Sequence, residues 1–355
     1  MVFAPLNLRY DFRVWRPRAE QLTQRRRLMN TSARALIADP PKPPRIGEVT
    51  LRALRPDEVL IRSSLSGFST GTDRWVMTGQ FEWGDFTYPL IPGYQVAGTV
   101  EAVGADVTGF DVGQSVVAVS ATGVTGVETG WGCHASAVIS TAQNVFDATG
   151  VPEVSSAFVI SAQVGYNAAS RLAGSPGESV CVIGDGIIGA SAALAAHARG
   201  FRVLLQGRHD ERLAPFEGTG ISTRNARATG ADPLADWGPV AVIDTVQNDD
   251  AFAGYIDALE PGRGQIVYSG HSPNGVRHWG DMAALQQREM RADFVAGWTP
   301  NRIVATLDGM RSGALDLTAF VSHLAMSVDA VLELARTVAE GKLGAVAAAI
   351  DWRTV

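Results

Sequence analysis

The sequence predicts an α/β fold of two modules, the first rich in short strands and the second a parallel sheet wound with helices. Three observations predict it. Up to residue 150, runs of β-branched and small apolar residues are broken by Gly and Pro about every ten residues, the pattern of a compact β-rich module. Beyond Pro152, strand-like and helix-like runs alternate, the pattern of a parallel sheet with crossover helices. The chain has 355 residues, 46% of them hydrophobic and 19% charged, enough for two cores of ordinary size.

In order along the first module, strands are expected at 33–37, 58–64, 96–103, 115–119 and 134–139. A helix is expected at 154–172, and the turn Gly174-Ser175-Pro176-Gly177 ends it. A strand at 179–183, a helix at 187–199 and a strand at 201–205 follow, and strands at 240–245 and 265–269 continue the series. After Pro300 the pattern is mixed and closes with a helix at 327–340 and a strand at 345–350. About 55 residues are too few for a separate core, so this tail is expected to fold back onto the first module.

Composition excludes several classes. With 30 Lys+Arg against 36 Asp+Glu the formal net charge is −6, and the pI is about 5.6. The body therefore offers no broad attraction for nucleic acid or an anionic membrane. No apolar run approaches the roughly 20 residues of a membrane span. Cys133 and Cys181 lie far apart, which excludes a disulfide framework and a four-cysteine zinc site. A cytoplasmic protein with a small-molecule substrate is the expectation. Residues 1–28 stand apart, with seven arginines among Tyr10, Phe12 and Trp15. They lack the apolar run of a secretory signal, and a disordered basic extension is expected there.

The chemistry begins where the strand at 179–183 meets the next helix. Gly184-Asp185-Gly186-Ile187-Ile188-Gly189 has G-x-G-x-x-G spacing in strand-turn-helix context. Gly184 allows the tight turn, Gly186 lets backbone approach a pyrophosphate, and Gly189 lets the helix pack close to the strand. Unpaired N–H groups at the helix N-terminus then face the phosphates. The following strand ends in Gln206-Gly207-Arg208-His209, about 20 residues on, where an Asp or Glu would hold the ribose 2′-hydroxyl of NAD. No acid stands there, and Arg208 can meet a 2′-phosphate, so NADP(H) is expected in preference to NAD(H). The alternative is that Arg208 is a solvated loop residue. Thr245, Ser269 and His271 sit at the carboxyl ends of later strands, where open α/β sheets bind ligands, and are expected to face the cofactor.

Taken together, the chain resembles the medium-chain dehydrogenase/reductase superfamily from residue 30 to its end. The resemblance is carried by the run from Tyr88-Pro89-Leu90-Ile91-Pro92-Gly93-Tyr94-Gln95 to Gly104, by Asp111-Val112-Gly113-Gln114, by the glycine cradle and by Leu259-Glu260-Pro261-Gly262. Within it, Ser66-Gly67-Phe68-Ser69-Thr70-Gly71-Thr72-Asp73, Gly297-Trp298-Thr299-Pro300 and Ile350-Asp351-Trp352-Arg353 look most like the bacteriochlorophyllide a dehydrogenase group. The resemblance implies a GroES-like catalytic domain at 29–153 and 299–355, and a Rossmann doubly wound cofactor domain at 154–298. It also implies a nicotinamide cofactor and a homodimer.

The departures from the family pattern matter as much. Zinc members carry a Cys near the Thr-Asp pair and a His-Glu pair after the Pro-Gly. Here those positions read Ser69 or Thr70, and Tyr94-Gln95. Hydroxyls with an amide do not make a zinc site, so a zinc-independent enzyme is expected. With the hydride coming from the nicotinamide, hydroxyl donors would stabilise the substrate oxygen and move the proton. Thr72 and Tyr94 are the expected catalytic pair, with Ser69 and Gln95 in support. Their structural alternatives are a helix cap for Thr70 or Thr72, a core tyrosine, and an ion pair for Asp73. The leading expectation is hydride transfer between nicotinamide and a carbonyl or alcohol. Quinone or enoyl reduction is the alternative, and a cofactor-binding protein without turnover is a reading of another class.

Overall fold

Ten strands carry the first module in the computed structural model, which describes residues 31–82, 84–228, 234–269 and 280–355. They are β1 (Thr31–Asp39), β2 (Lys42–Leu51), β3 (Glu58–Gly67), β4 (Leu90–Ile91), β5 (Val96–Val103), β6 (Ser115–Ala118), β7 (Val124–Thr125), β8 (Glu128–Thr129), β9 (Ala137–Thr141) and β10 (Val145–Asp147). One sheet runs in the order β7-β2-β1-β4-β8, and a second contains β10-β6-β5-β3, with β9 also on β3. Alternate residues of both sheets meet in one core of Ile37, Val49, Leu51, Ile61, Val96 and Ile139. Between β3 and β4 lies a short helix, α1 (Thr72–Thr78).

The sequence expectation for this module lacks β2, β4, β7, β8 and β10 and starts β9 too early. β2 was not foreseen, because Pro43 and Pro44 argue against a strand. The two prolines fall where the β1–β2 register shifts between Ile37 and Asp39, a place where a missing N–H costs no ladder bond. The expected strand at 134–139 begins only at Ala137, since Cys133 and His134 donate to Gly93 and Pro92 carbonyls instead.

The single helix expected at 154–172 is two helices, α2 (Glu153–Ser156) and α3 (Val159–Ser170). Phe158 leaves the helical path at φ −115°, ψ 19° and is fully buried beside Gly67, where a side chain on residue 67 would strike its ring. Next come β11 (Ser179–Ile183), α4 (Ile187–Ala198), β12 (Arg202–Gly207), α5 (Asp210–Leu213), β13 (Ser222–Asn225), β14 (Ala241–Asp244), α6 (Asp249–Tyr255), β15 (Gln265–Ser269), α7 (Met282–Gln287) and β16 (Arg291–Val295). The six strands form one fully parallel sheet in the order β13-β12-β11-β14-β15-β16. Its central strands are buried along their length, as in sheets covered on both faces. The order reverses between β11 and β14, so the switch point lies beside the glycine cradle.

The C-terminal segment returns to the first module as expected. After α8 (Pro300–Arg311), β17 (Val321–Ala325) and α9 (Val328–Ala339), strand β18 (Ala347–Asp351) pairs antiparallel with β3 and parallel with β17. α9 buries Val331, Leu334, Ala335 and Val338, a 3.6-period stripe, against Phe68, Val76, Met77 and Leu90. Among the described residues no helix is long and apolar enough to cross a membrane. The extension 1–28 and His271 lie outside the described residues.

Candidate active site

A buried chain of hydrogen bonds supports the β-rich wall of the cleft. Trp352 Nε1 donates to Ser66 Oγ at 2.8 Å, and Ser66 Oγ lies 2.8 Å from His134 Nδ1. As a carboxylate, Asp73 Oδ2 can only accept from His134 Nε2 at 3.3 Å, which in a neutral imidazole leaves Nδ1 to accept the Ser66 hydroxyl proton. Asp73 then takes backbone N–H groups from Ser69 at 2.7 Å and from Gly93 at 3.2 Å. All four side chains are nearly or wholly inaccessible to solvent. The sequence pointed to Ser69, Thr72 and Tyr94, and this network fixes the turns that carry them.

Tyr94 is almost fully buried between two indoles. Trp298 stacks on it at 5.8 Å between ring centroids, and Trp131 meets it edge-on at 5.7 Å. Trp131 itself has φ 68°, a strained value for a tryptophan, and is held there by Phe81 and Phe86 on its other edges. Burial pushes the Tyr94 phenol up from its ordinary pKa, and the Asp73 charge adds to this. The Ser69, Ser161 and Thr72 hydroxyls beside it pull the other way. Four hydroxyls therefore converge on one point of the cleft, three from the β-rich module and Ser161 from α3.

Two expectations for this wall are corrected. Neither Thr70 nor Thr72 caps α1. Gly71 holds the N-cap position without a side-chain bond, and Thr72 is the first helical residue, its N–H 3.3 Å from Ser69 Oγ. Gln95 is no free donor for substrate. Its Oε1 accepts the N–H groups of Ile160 and Ser161 at 3.0 and 3.2 Å, and its Nε2 reaches Ser161 Oγ and the Gly67 carbonyl. It caps α3 across the module boundary, because the N-cap residue Phe158 has no polar atom to offer.

The parallel-sheet wall has the opposite character. Gly184 has φ +117°, and a Cβ on it or on Gly189 would overlap Thr245 Oγ1 or the Gly184 carbonyl, so both must be glycine. A Cβ on Gly186 would meet nothing within 4 Å, and α4 starts there with no side-chain cap. This is an open cradle at a helix N-terminus, as a pyrophosphate requires. Thr245 lies behind it, with its hydroxyl on the Ile183 carbonyl at 2.8 Å. Deeper along the cleft, Gln163 Nε2 donates to the Gly297 carbonyl at 2.9 Å, while its Oε1 and the Ser269 hydroxyl are buried without a partner among the described residues. Ile187 and Ile188 form the first turn of α4. Arg208 is exposed at the end of β12, and its backbone N–H is taken by Asp185.

Sequence reasoning missed Ser66, His134, Ser161, Trp131 and Trp352 as site components. Trp298 also packs at this site, on the Tyr94 ring. Trp75 lies half-buried on α1, and Trp83 and Trp279 fall outside the described residues. Among the described residues no group of three or more His, Cys, Asp and Glu is placed to hold a metal ion.

A glycine cradle on a parallel sheet, joined to a β-rich module that carries a cluster of hydroxyls, points to a class: a two-module dehydrogenase. The comparisons agree. Residues 55–152 match the alcohol dehydrogenase GroES-like domain. The chain is 24% identical over 296 residues to 2-desacetyl-2-hydroxyethyl bacteriochlorophyllide A dehydrogenase of Cereibacter sphaeroides, covering 81% of this chain and 89% of the relative. Two solved structures each cover 90% of this chain and 99% of their own. One is a putative zinc-binding dehydrogenase from Sinorhizobium meliloti bound to NADP, with TM-score 0.76 and 19% identity. The other is a short chain alcohol dehydrogenase from Escherichia coli complexed with NADH, with TM-score 0.73 and 17% identity. Over most of its length the chain is therefore similar to alcohol dehydrogenase-like oxidoreductases of the medium-chain dehydrogenase/reductase superfamily.

Proposed function

We propose that this chain is a zinc-independent oxidoreductase that moves a hydride between a nicotinamide dinucleotide and the carbonyl or alcohol carbon of a small or medium organic substrate. The observation that carries the reading is the Tyr94 phenol, buried among the Ser69, Thr72 and Ser161 hydroxyls in a chain that also carries the glycine cradle. When bound, the nicotinamide supplies or accepts the hydride. Gly184, Gly186 and the first turn of α4 would hold its pyrophosphate, and the orphaned Gln163 Oε1 and Ser269 Oγ offer an acceptor and a donor for its carboxamide. Whether a 2′-phosphate is tolerated turns on Arg208, which would favour it, against Asp185, which opposes it.

The donor set does not suit zinc. Thr70 is exposed, Tyr94 stands where the family has histidine, and both ends of the Gln95 amide are committed to α3 and the Gly67 carbonyl. Both ring nitrogens of His134 are occupied, and burial pushes the Cys133 thiol far up from its ordinary pKa. The chain's own groups must therefore manage the substrate oxygen. With its pKa raised, Tyr94 is a neutral donor at physiological pH, suited to hydrogen-bonding a carbonyl oxygen and passing a proton as the alkoxide forms. Ser69 and Thr72 hold the phenol and offer the next step toward solvent, since both are only half-buried.

Trp131 and Trp298 flank Tyr94, and Phe81 and Phe86 back Trp131, an aromatic surround that also suits a flat conjugated substrate. Quinone or enone reduction is thus the second reading. The two free buried cysteines fit a reducing, cytoplasmic setting, and the exposed edge of β16 suits pairing between two copies.

The test is turnover with a panel of ketones, aldehydes, enones and quinones, alongside metal analysis of the purified chain. Tyr94→Phe is expected to lower kcat by about 10²-fold or more, and Thr72→Val by less, with dinucleotide affinity unchanged. Because the phenol is held above its ordinary pKa of about 10, carbonyl reduction should show no loss from Tyr94 deprotonation between pH 7 and roughly 10. Stoichiometric zinc, or full turnover by both variants, would reverse the reading.

A further inference from the structure

The end of β12 lacks an acid, yet a carboxylate is present there. Asp185, between the first two glycines of the cradle, passes its side chain over Gly207. A Cβ on residue 207 would lie 2.6 Å from both Asp185 Cβ and Oδ2, so a strand-end aspartate and this loop aspartate could not coexist. Asp185 Oδ2 accepts the Arg208 N–H at 2.7 Å, the His209 N–H at 3.1 Å and a bond with His209 Nδ1 at 2.9 Å. Arg212 Nη1 reaches Oδ1 at 3.2 Å, and the same guanidinium also bonds to the Leu343 and Gly344 carbonyls of the returning C-terminal segment. Two successive backbone N–H groups, an imidazole and a guanidinium are what a phosphate ester at this strand end would need. The protein's own carboxylate already holds them.

Resting on the nicotinamide-dinucleotide reading above, we propose that Asp185 is the residue that selects the dinucleotide, admitting the ribose hydroxyls of NAD(H) and excluding the 2′-phosphate of NADP(H). Oδ2 is saturated by its three bonds, but Oδ1 carries only the Arg212 bond and keeps a lone pair for a hydroxyl. A 2′-phosphate would bring like charge against this carboxylate. It would gain the N–H groups of Arg208 and His209 only if Asp185 rotated away and gave up its four bonds. The pocket beside them, about 180 Å³, has a second carboxylate in its lining, Asp250. Arg208 is the cation of that lining, but its guanidinium is exposed and screened. The expectation of NADP(H) followed from the missing strand-end acid. In the folded chain an acid reaches that place from the loop.

Calorimetric titration of the full chain with NAD⁺, NADP⁺, 5′-AMP and 2′,5′-ADP tests this without requiring turnover. Wild type is expected to bind NAD⁺ at least about tenfold more tightly than NADP⁺, and 5′-AMP more tightly than 2′,5′-ADP. Asp185→Asn should close most of that gap through a gain for the phosphorylated ligands, and Arg208→Ala added to it should remove the gain. Equal or tighter binding of NADP⁺ by wild type overturns the proposal, whether or not the variants fold. An unchanged ratio in folded Asp185→Asn also overturns it, with the cofactor reading intact. No heat from any of the four ligands overturns both.

Discussion

The two walls of the cleft solve different problems. On the β-rich side every polar side chain of the Trp352–Ser66–His134–Asp73 chain is buried and paired, and the groups it positions are held before any ligand arrives. On the parallel-sheet side Asp185 and Thr245 are paired within the protein, but among the described residues other polar groups stay open: an uncapped helix N-terminus at Gly186, the Ser269 hydroxyl and the Gln163 carbonyl oxygen. On the proposed function, one wall would carry the chemistry, and it is pre-organised by internal satisfaction. The other is completed by what binds to it. Damage to the first should therefore appear as lost stability, and damage to the second as lost binding in an otherwise intact fold.

The largest expected effect falls on the closed wall. His134→Ala removes one partner each from the buried Asp73 and Ser66 and opens a cavity beside Phe68, whose ring lies 4.4 Å from the imidazole. A stability loss of about 3–5 kcal/mol is expected in denaturant titration. Dinucleotide binding by the folded fraction should stay near wild type. If binding fell while stability held, the division between the walls would be wrong.

A smaller effect of the opposite kind is expected from Gly186→Val. Residue 186 has extended backbone at φ −91°, ψ −179°, which valine adopts without strain, and its Cβ would enter space empty to 4 Å. The fold should tolerate it within about 1 kcal/mol. Dinucleotide affinity should fall by about a hundredfold, because the side chain fills the volume into which the pyrophosphate must come. Unchanged affinity would mean that the cradle does not hold phosphate.

The same division explains what the sequence could reveal. The open wall is written locally: Gly184 to Gly189 is six consecutive residues between a strand and a helix, and its geometry is backbone geometry. The first module and the return of the last 55 residues were also legible, through turn spacing and the brevity of the tail. The closed wall joins residues 66, 73, 134 and 352, with Ser66 and Trp352 separated by 286 positions, and no local pattern announces such a pairing. The Asp185 side chain lies between these extremes. Its motif was visible, but its direction depends on Gly207 lying next to it across the β11–β12 pairing, where Ile183 opposes Gln206. A charged residue inside a phosphate loop, together with a glycine where an acid is expected, is the signal that marks the exchange.

The smallest effect belongs to the residue that joins the walls. Gln95 lies between Tyr94 and β5 in the β-rich module, yet its amide caps α3, the helix that carries Ser161 and Gln163. Gln95→Leu is close in volume and keeps the core filled, but it strips two N–H groups of their acceptor and leaves Ser161 Oγ and the Gly67 carbonyl without their donor. Loss of a helix cap with partial relaxation is worth about 1–2 kcal/mol, less than the buried hydrogen-bond network beneath it. Turnover should fall through misplacement of Ser161 against Tyr94, with kcat lowered and KM for the dinucleotide little changed, and Gln95→Glu should restore only the part owed to the acceptor oxygen. A stability loss as large as that of His134→Ala would show instead that the modules share a single network, and that the contrast between a closed wall and an open one ends at this glutamine.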